Sequence, residues 1–124
     1  MERTDLSPFK AGQTLVLIAT WTNEDDGEAV LLDGAWAACT FRNTYCSDPI
    51  VTVTSDDGDI VFGEDGVITI TVSEDNTNML NATCRIVKGV FDLKVVLDDG
   101  TVDFPIPDGR WVCYPSSTVA EPVV

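Results

Sequence analysis

The residues of this 124-residue chain with chemistry to offer are four cysteines, Cys39, Cys46, Cys84 and Cys113, and a crowd of carboxylates. Four thiolates suit zinc, but the intervals between them are wide and irregular, no CxxC occurs and the chain has no histidine, so a structural zinc is not expected. An even count also suits disulfides. The N-terminus "MERTDLSPFK" lacks the basic-then-apolar layout of a secretory leader, so the expectation is a chain made and kept in cytoplasm with free thiols. Cys39 and Cys113 fall on strand positions that point inward, where a cysteine acts as a small hydrophobe.

The carboxylates cluster in "NEDDGE" (23–28), "SDDGD" (55–59) and "EDG" (64–66), oxygen-rich stretches of the kind calcium prefers. None has EF-hand spacing, and each reads as a hairpin turn that needs Asp and Gly, so no metal or other cofactor is expected. A carboxylate pair could hydrolyse a glycoside, but nearly all these acids sit beside glycines in solvated loops. Without histidine there is no imidazole base, no Ser–His dyad and no His-ligated metal. Phosphate-cradling glycine loops are absent, and "NAT" (81–83), a glycosylation sequon, means little without a leader. The chain is expected not to be an enzyme, with no catalytic, cofactor or metal residues.

Acidic residues outnumber basic ones 21 to 7, a net charge of −14. Such a surface repels phosphate backbones and anionic bilayers, and no apolar run approaches the roughly 18 residues of a membrane helix, so neither nucleic acid nor membrane is an expected partner.

Period-two runs dominate the chain. Strands are predicted over 14–22, 35–43, 49–55, 59–63, 66–72, 88–97, 101–106 and 110–115, punctuated by Asp-Gly at 26–27, 57–58, 65–66, 99–100 and 108–109. Pro105 and Pro107 cannot donate to a ladder, which puts their strand at an edge or an end there. "SEDNTNML" breaks the pattern: Ser73 is an N-cap before Glu74 and Asp75, opening one or two helical turns that dock Met79 and Leu80 under the sheets. About eight short strands at regular spacing imply an all-β sandwich or barrel. Residues 1–12 form an N-terminal arm, 13–115 the domain and 116–124 a C-terminal tail.

"FKAGQTLVLIATWTNEDDGEAVLLDGAWAACTFRN", "DGVITITVSEDNTNML" and "GVFDLKVVLDDGTV" together resemble small immunoglobulin-like virion proteins of tailed bacteriophages, similar in pattern to the N-terminal domain of baseplate upper proteins. The shared order is a strand ending in Trp, an acidic Gly turn, "LLDG" leading into a strand that ends in Arg, an alternating strand, a Ser-started helix and a Phe-Asp-Leu strand. The likeness spans most of residues 9–103 and departs at "TYCSD" (44–48) and over 110–124. It implies an immunoglobulin-like antiparallel β-sandwich of about 7–9 strands with one short helical crossover, and a non-enzymatic virion role.

One anomaly bears on that role. If Ala37, Cys39 and Phe41 face the core, Trp36 faces out; in the first strong strand Val16 and Ile18 also take the outward parity. A covering loop or arm of the same chain would explain these residues, and so would a patch buried by another subunit. The resulting expectation is a partner interface of Val16, Ile18 and Trp36 on a capsid decoration or cement protein, homo-oligomeric in the particle and bound to the major capsid protein or other virion proteins. A baseplate or tail-fibre adaptor is the alternative in the same class. A secreted adhesion module with paired cysteines is the alternative outside it.

Overall fold

The computed structural model describes residues 3–23 and 25–117. Its elements are β1 (Arg3–Asp5), β2 (Phe9–Lys10), β3 (Leu15–Thr20), β4 (Trp36–Arg42), β5 (Val51–Thr54), β6 (Ile60–Phe62), β7 (Val67–Val72), α1 (Glu74–Leu80), β8 (Val87–Val96) and β9 (Val102–Tyr114). One sheet runs β1-β9-β8-β4-β5, with β2 also on β9, and the other runs β3-β7-β6. A three-stranded sheet facing a larger one, with the last strand beside the penultimate, suits the two-sheet arrangement of an immunoglobulin-like sandwich. The fold is therefore an immunoglobulin-like β-sandwich.

Alternation decides which side of each strand is buried. Ala37, Cys39 and Phe41 of β4, Phe91, Leu93 and Val95 of β8, and Ile68, Ile70 and Val72 of β7 form the core between the sheets. Phe41 and Phe91 are direct cross-strand partners and stack with ring centroids 5.2 Å apart. Trp111 is buried beside Phe9, and its indole N–H donates to the Val90 carbonyl at 3.0 Å.

Departures from the expected arrangement have identifiable causes. The two predicted strands at 101–106 and 110–115 are one long β9, because Asp108–Gly109 is extended rather than turned. Gly109 lies opposite Phe91, and a Cβ there would stand 2.3 Å from the ring, so this glycine makes room for an aromatic instead of bending the chain. At Gly27, Gly58, Gly66 and Gly100 the φ angle is positive, and those Asp-Gly pairs do turn. The sandwich is also not antiparallel throughout, since β1 and β2 pair parallel with β9. Residues 3–10 thus add backbone to the larger sheet, and Phe9 joins the core.

Pro105 and Pro107 lie where β9 has β8 on one side but no β1 on the other, since β1 pairing begins at Asp108. The register with β8 slips twice there: Phe91, Leu93 and Val95 face Gly109, Ile106 and Asp103, so β9 holds an extra residue in each interval. The helix starts at Ser73, whose hydroxyl accepts from Asn76 N at 3.3 Å. Leu80 docks in the core, whereas Met79 is exposed. Thr77 is fully buried; its hydroxyl donates to the Gln13 carbonyl at 2.8 Å and accepts from Gly12 N at 3.0 Å, tying α1 to the chain ahead of β3.

Candidate functional site

β3 is the end strand of its sheet, with β7 as its neighbour on one side. Leu15, Leu17 and Ala19 turn toward the core, while Val16 and Ile18 are 53% and 71% exposed. A groove of about 320 Å³ runs beside this edge, lined by Thr4, Asp5, Leu6 and Ser7 on one side, by Leu15, Val16, Leu17 and Ile18 on the other, and by Ile106. Two aliphatic side chains on an unpaired strand edge are a template for a further strand.

Trp36 does not join them. It sits on β4 in the other sheet, on the side away from the core, and its indole N–H donates to Asp56 at 2.9 Å from the β5–β6 turn. The outer sides of two packed sheets face apart, so the expected patch of Val16, Ile18 and Trp36 is two separate surfaces. Parity along each strand was legible; which sheet each strand enters is a matter of long-range pairing that alternation does not encode.

The outer face around Trp36 has its own chemistry. Alternation and register place Arg42 of β4, Lys88 and Lys94 of β8, Arg110 of β9 and Arg3 of β1 on that face, with Asp5, Asp92 and Asp108. Lys10 of β2, opposite Tyr114, and Asp56, which accepts from Trp36, lie on the same face, so six of the seven cations gather there. Asp108 accepts from the Tyr45 hydroxyl at 2.7 Å and from Arg110 Nε at 3.0 Å, which holds its carboxyl below the usual range. Partial burial and the neighbouring Asp108 push the Tyr45 phenol up to about 12. Asp92 is raised by desolvation, against the pull of Arg42 and Lys94. The sequence signal was a run of basic residues at outward positions, hidden by the overall negative charge.

A third surface was missed altogether. Thr22 and Ala29 form an antiparallel bridge, and the residues on either side of it lie near the bulged start of β9. Between them lies a cleft of about 600 Å³, lined by Trp21, Thr22, Asn23, Asp25, Val30, Leu97, Asp103, Phe104, Pro105 and Pro107. Of the three tryptophans, Trp36 and Trp111 have partners for their indole N–H, while that of Trp21 has none among the described residues and is not buried. Asp103 accepts from Phe104 N at 2.7 Å, and neither Asp25 nor Asp103 enters an ion pair among the described residues. Pro105 and Pro107 carried the signal, since they mark the bulges that shape this wall.

The four cysteines are unpaired, with Cys39 and Cys113 buried and Cys46 and Cys84 exposed. Cys39 and Cys113 lie on strands separated by β8, opposite Leu93 and Val87. Six residues of offset along β8 are about 20 Å, far beyond disulfide reach. Burial raises both thiols, Cys113 to about 11, so neither is a nucleophile at neutral pH. The acidic turns close on themselves: Asn23 accepts from Asp25 N, Asp26 from Glu28 N and Asp99 from Thr101 N. No group of three or more metal-ligating side chains gathers among the described residues.

No protein-family model matches the chain, and no curated protein sequence does. Among solved structures it is similar to the first Ig-like domain of the human CD48 antigen, at 12% identity and a TM-score of 0.34, over 98% of this chain and 88% of that one.

Proposed function

We propose that this protein is a non-enzymatic structural component of a tailed-bacteriophage virion, a decoration or cement subunit on the outside of the head shell. The observation that carries the reading is the open β3 edge, where Val16 and Ile18 stand exposed on a strand with a free side. A subunit made in the host cytoplasm and kept soluble by a charge of −14 docks there, on the major capsid protein or a neighbouring copy, by adding a strand and covering the two aliphatics. The same charge disfavours a place inside the shell beside DNA. The sequence likeness to small immunoglobulin-like virion proteins supports the particle as the setting.

The test is co-sedimentation with particles that lack the protein, using heads and tails separated beforehand. The wild-type chain is expected to travel with heads. The double variant Val16→Lys, Ile18→Lys should keep its melting temperature within a few degrees while losing about tenfold or more in binding. Binding to tails alone assigns the chain to a baseplate or fibre adaptor, and undiminished binding of the double variant rejects the β3 edge.

A further inference from the structure

The cleft beside Trp21 shares no lining residue with the groove at the β3 edge and does not depend on the virion reading. We propose that it is a recognition site for a basic segment of a partner protein, which lays an arginine or lysine stem against Trp21 and Phe104 and sets the charged head between Asp25 and Asp103.

Size comes first. About 600 Å³ falls within the roughly 300–1,000 Å³ of ligand sites and exceeds what one side chain fills, so the occupant is a short stretch of chain. The lining chemistry then selects its charge. Among the described residues it offers two carboxylates and no cation, so an anionic group is repelled and a cationic one finds acceptors that enter no ion pair there. Long basic side chains bury their methylene stems on apolar surface while keeping the head in water, and aromatic faces attract the head itself. Trp21 and Phe104, the latter 41% exposed, with Pro105 and Pro107, provide that surface.

Two further features suit an extended peptide rather than a free small cation. The start of β9 has no β1 neighbour before Asp108, so part of its backbone lies open, and proline carbonyls there accept hydrogen bonds although their nitrogens cannot donate. The Trp21 indole N–H, which bonds no other group among the described residues, is free to donate to a backbone carbonyl of the segment. The acidity of the whole chain adds long-range attraction for a basic partner.

The experiment follows the three indole N–H signals by nitrogen-15 NMR, assigned with Trp21→Phe and Trp36→Phe. The probes are the capped peptide Gly-Leu-Arg-Leu-Gly, its counterpart with neutral, isosteric citrulline in place of arginine, and choline. The arginine peptide is expected to shift the Trp21 signal saturably and leave that of Trp36 in place. The citrulline peptide should bind about tenfold or more weakly, as should the arginine peptide to the Asp25→Asn, Asp103→Asn variant, whose changes lie outside the core. Equal binding of both peptides overturns the charge selection. The absence of a saturable Trp21 shift up to about 10 mM, near the weakest affinity worth calling a site, overturns the site itself. Choline binding as tightly as the peptide overturns the protein segment as the occupant.

Discussion

Gly109 lies directly across the β8–β9 ladder from Phe91, and Gly89 directly across from Trp111, so each glycine leaves the space its aromatic partner fills. A Cβ at Gly109 would fall 2.3 Å from Cε1 of Phe91, and one at Gly89 the same distance from the Trp111 indole and 2.2 Å from the Arg42 carbonyl oxygen. Gly109→Ala is therefore expected to cost about 2–3 kcal/mol in urea unfolding, because a close-packed core must shift to admit a methyl. Gly58→Ala serves as the comparison. Its φ of +81° carries a backbone penalty alone, about 1 kcal/mol, with nothing within 4 Å to collide with. Equal losses at the two positions would mean that the Gly109 contact is not the cause.

Thr77 offers a test of the tie between α1 and the chain before β3. Thr77→Val keeps the shape but removes the hydroxyl that bridges Gly12 N and the Gln13 carbonyl. Leaving those groups short of a partner should cost about 1–3 kcal/mol, measured by denaturant unfolding. A neutral result would show that water replaces the hydroxyl.

The Tyr45 phenol is expected to ionise near pH 12, in an ultraviolet titration identified by difference against Tyr45→Phe. Asp108→Asn should move it back toward the ordinary value of about 10, though not fully, because burial also raises it. Since the raised value favours the neutral phenol in the folded state, its contribution to stability is complete below about pH 10 and fades as pH climbs toward 12. Asp108 works in the opposite sense. Its folded value is lowered, so its contribution is present at neutral pH and disappears as acid protonates it.

A thiol reagent should modify Cys46 and Cys84 in the folded protein within minutes, and all four cysteines once denaturant is added without reductant. Burial is the reason for the two classes, with Cys39 and Cys113 closed to solvent. Fewer than four thiols in denaturant would reveal a disulfide and favour an extracytoplasmic setting.

Trp36→Ser and Phe41→Ser separate the two sides of β4. Phe41 is fully buried against Phe91, and its loss empties a core site and strands a hydroxyl, at a cost of about 4 kcal/mol or more. Trp36 is half-buried and held from outside by Asp56, so its replacement should cost about 1 kcal/mol in thermal unfolding. Comparable losses would place Trp36 in the core.

Burial parity was the legible part of this fold, because a strand between core and solvent writes a period of two into its residues. Ala37, Cys39 and Phe41 lie where their alternation put them, as do Leu15 and Leu17 opposite Val16 and Ile18. Asp108–Gly109 misled because the same dipeptide serves a turn and a steric gap, and the ring that demands the gap lies eighteen residues before Gly109, at Phe91. The separation of Trp36 from Val16 and the parallel seating of β1 and β2 depend on which distant strands pair. The Trp21 cleft was hidden for the same reason, since it exists where Trp21, Asn23 and Asp25 meet Asp103, Phe104, Pro105 and Pro107.

The seating of β1 and β2 beside β9 also determines how the molecule bears force. Arg3 lies opposite Asp108 and Lys10 opposite Tyr114, with the strands running the same way. Tension applied at the two ends of the domain pulls these strands in opposite directions along their common axis. The hydrogen bonds between them are then strained together in shear, where a hairpin pulled from its ends would unzip one bond at a time. A load carried between the two ends of the domain would therefore bear on this seam, which must slip as a whole before Phe9 leaves the core and the sandwich opens.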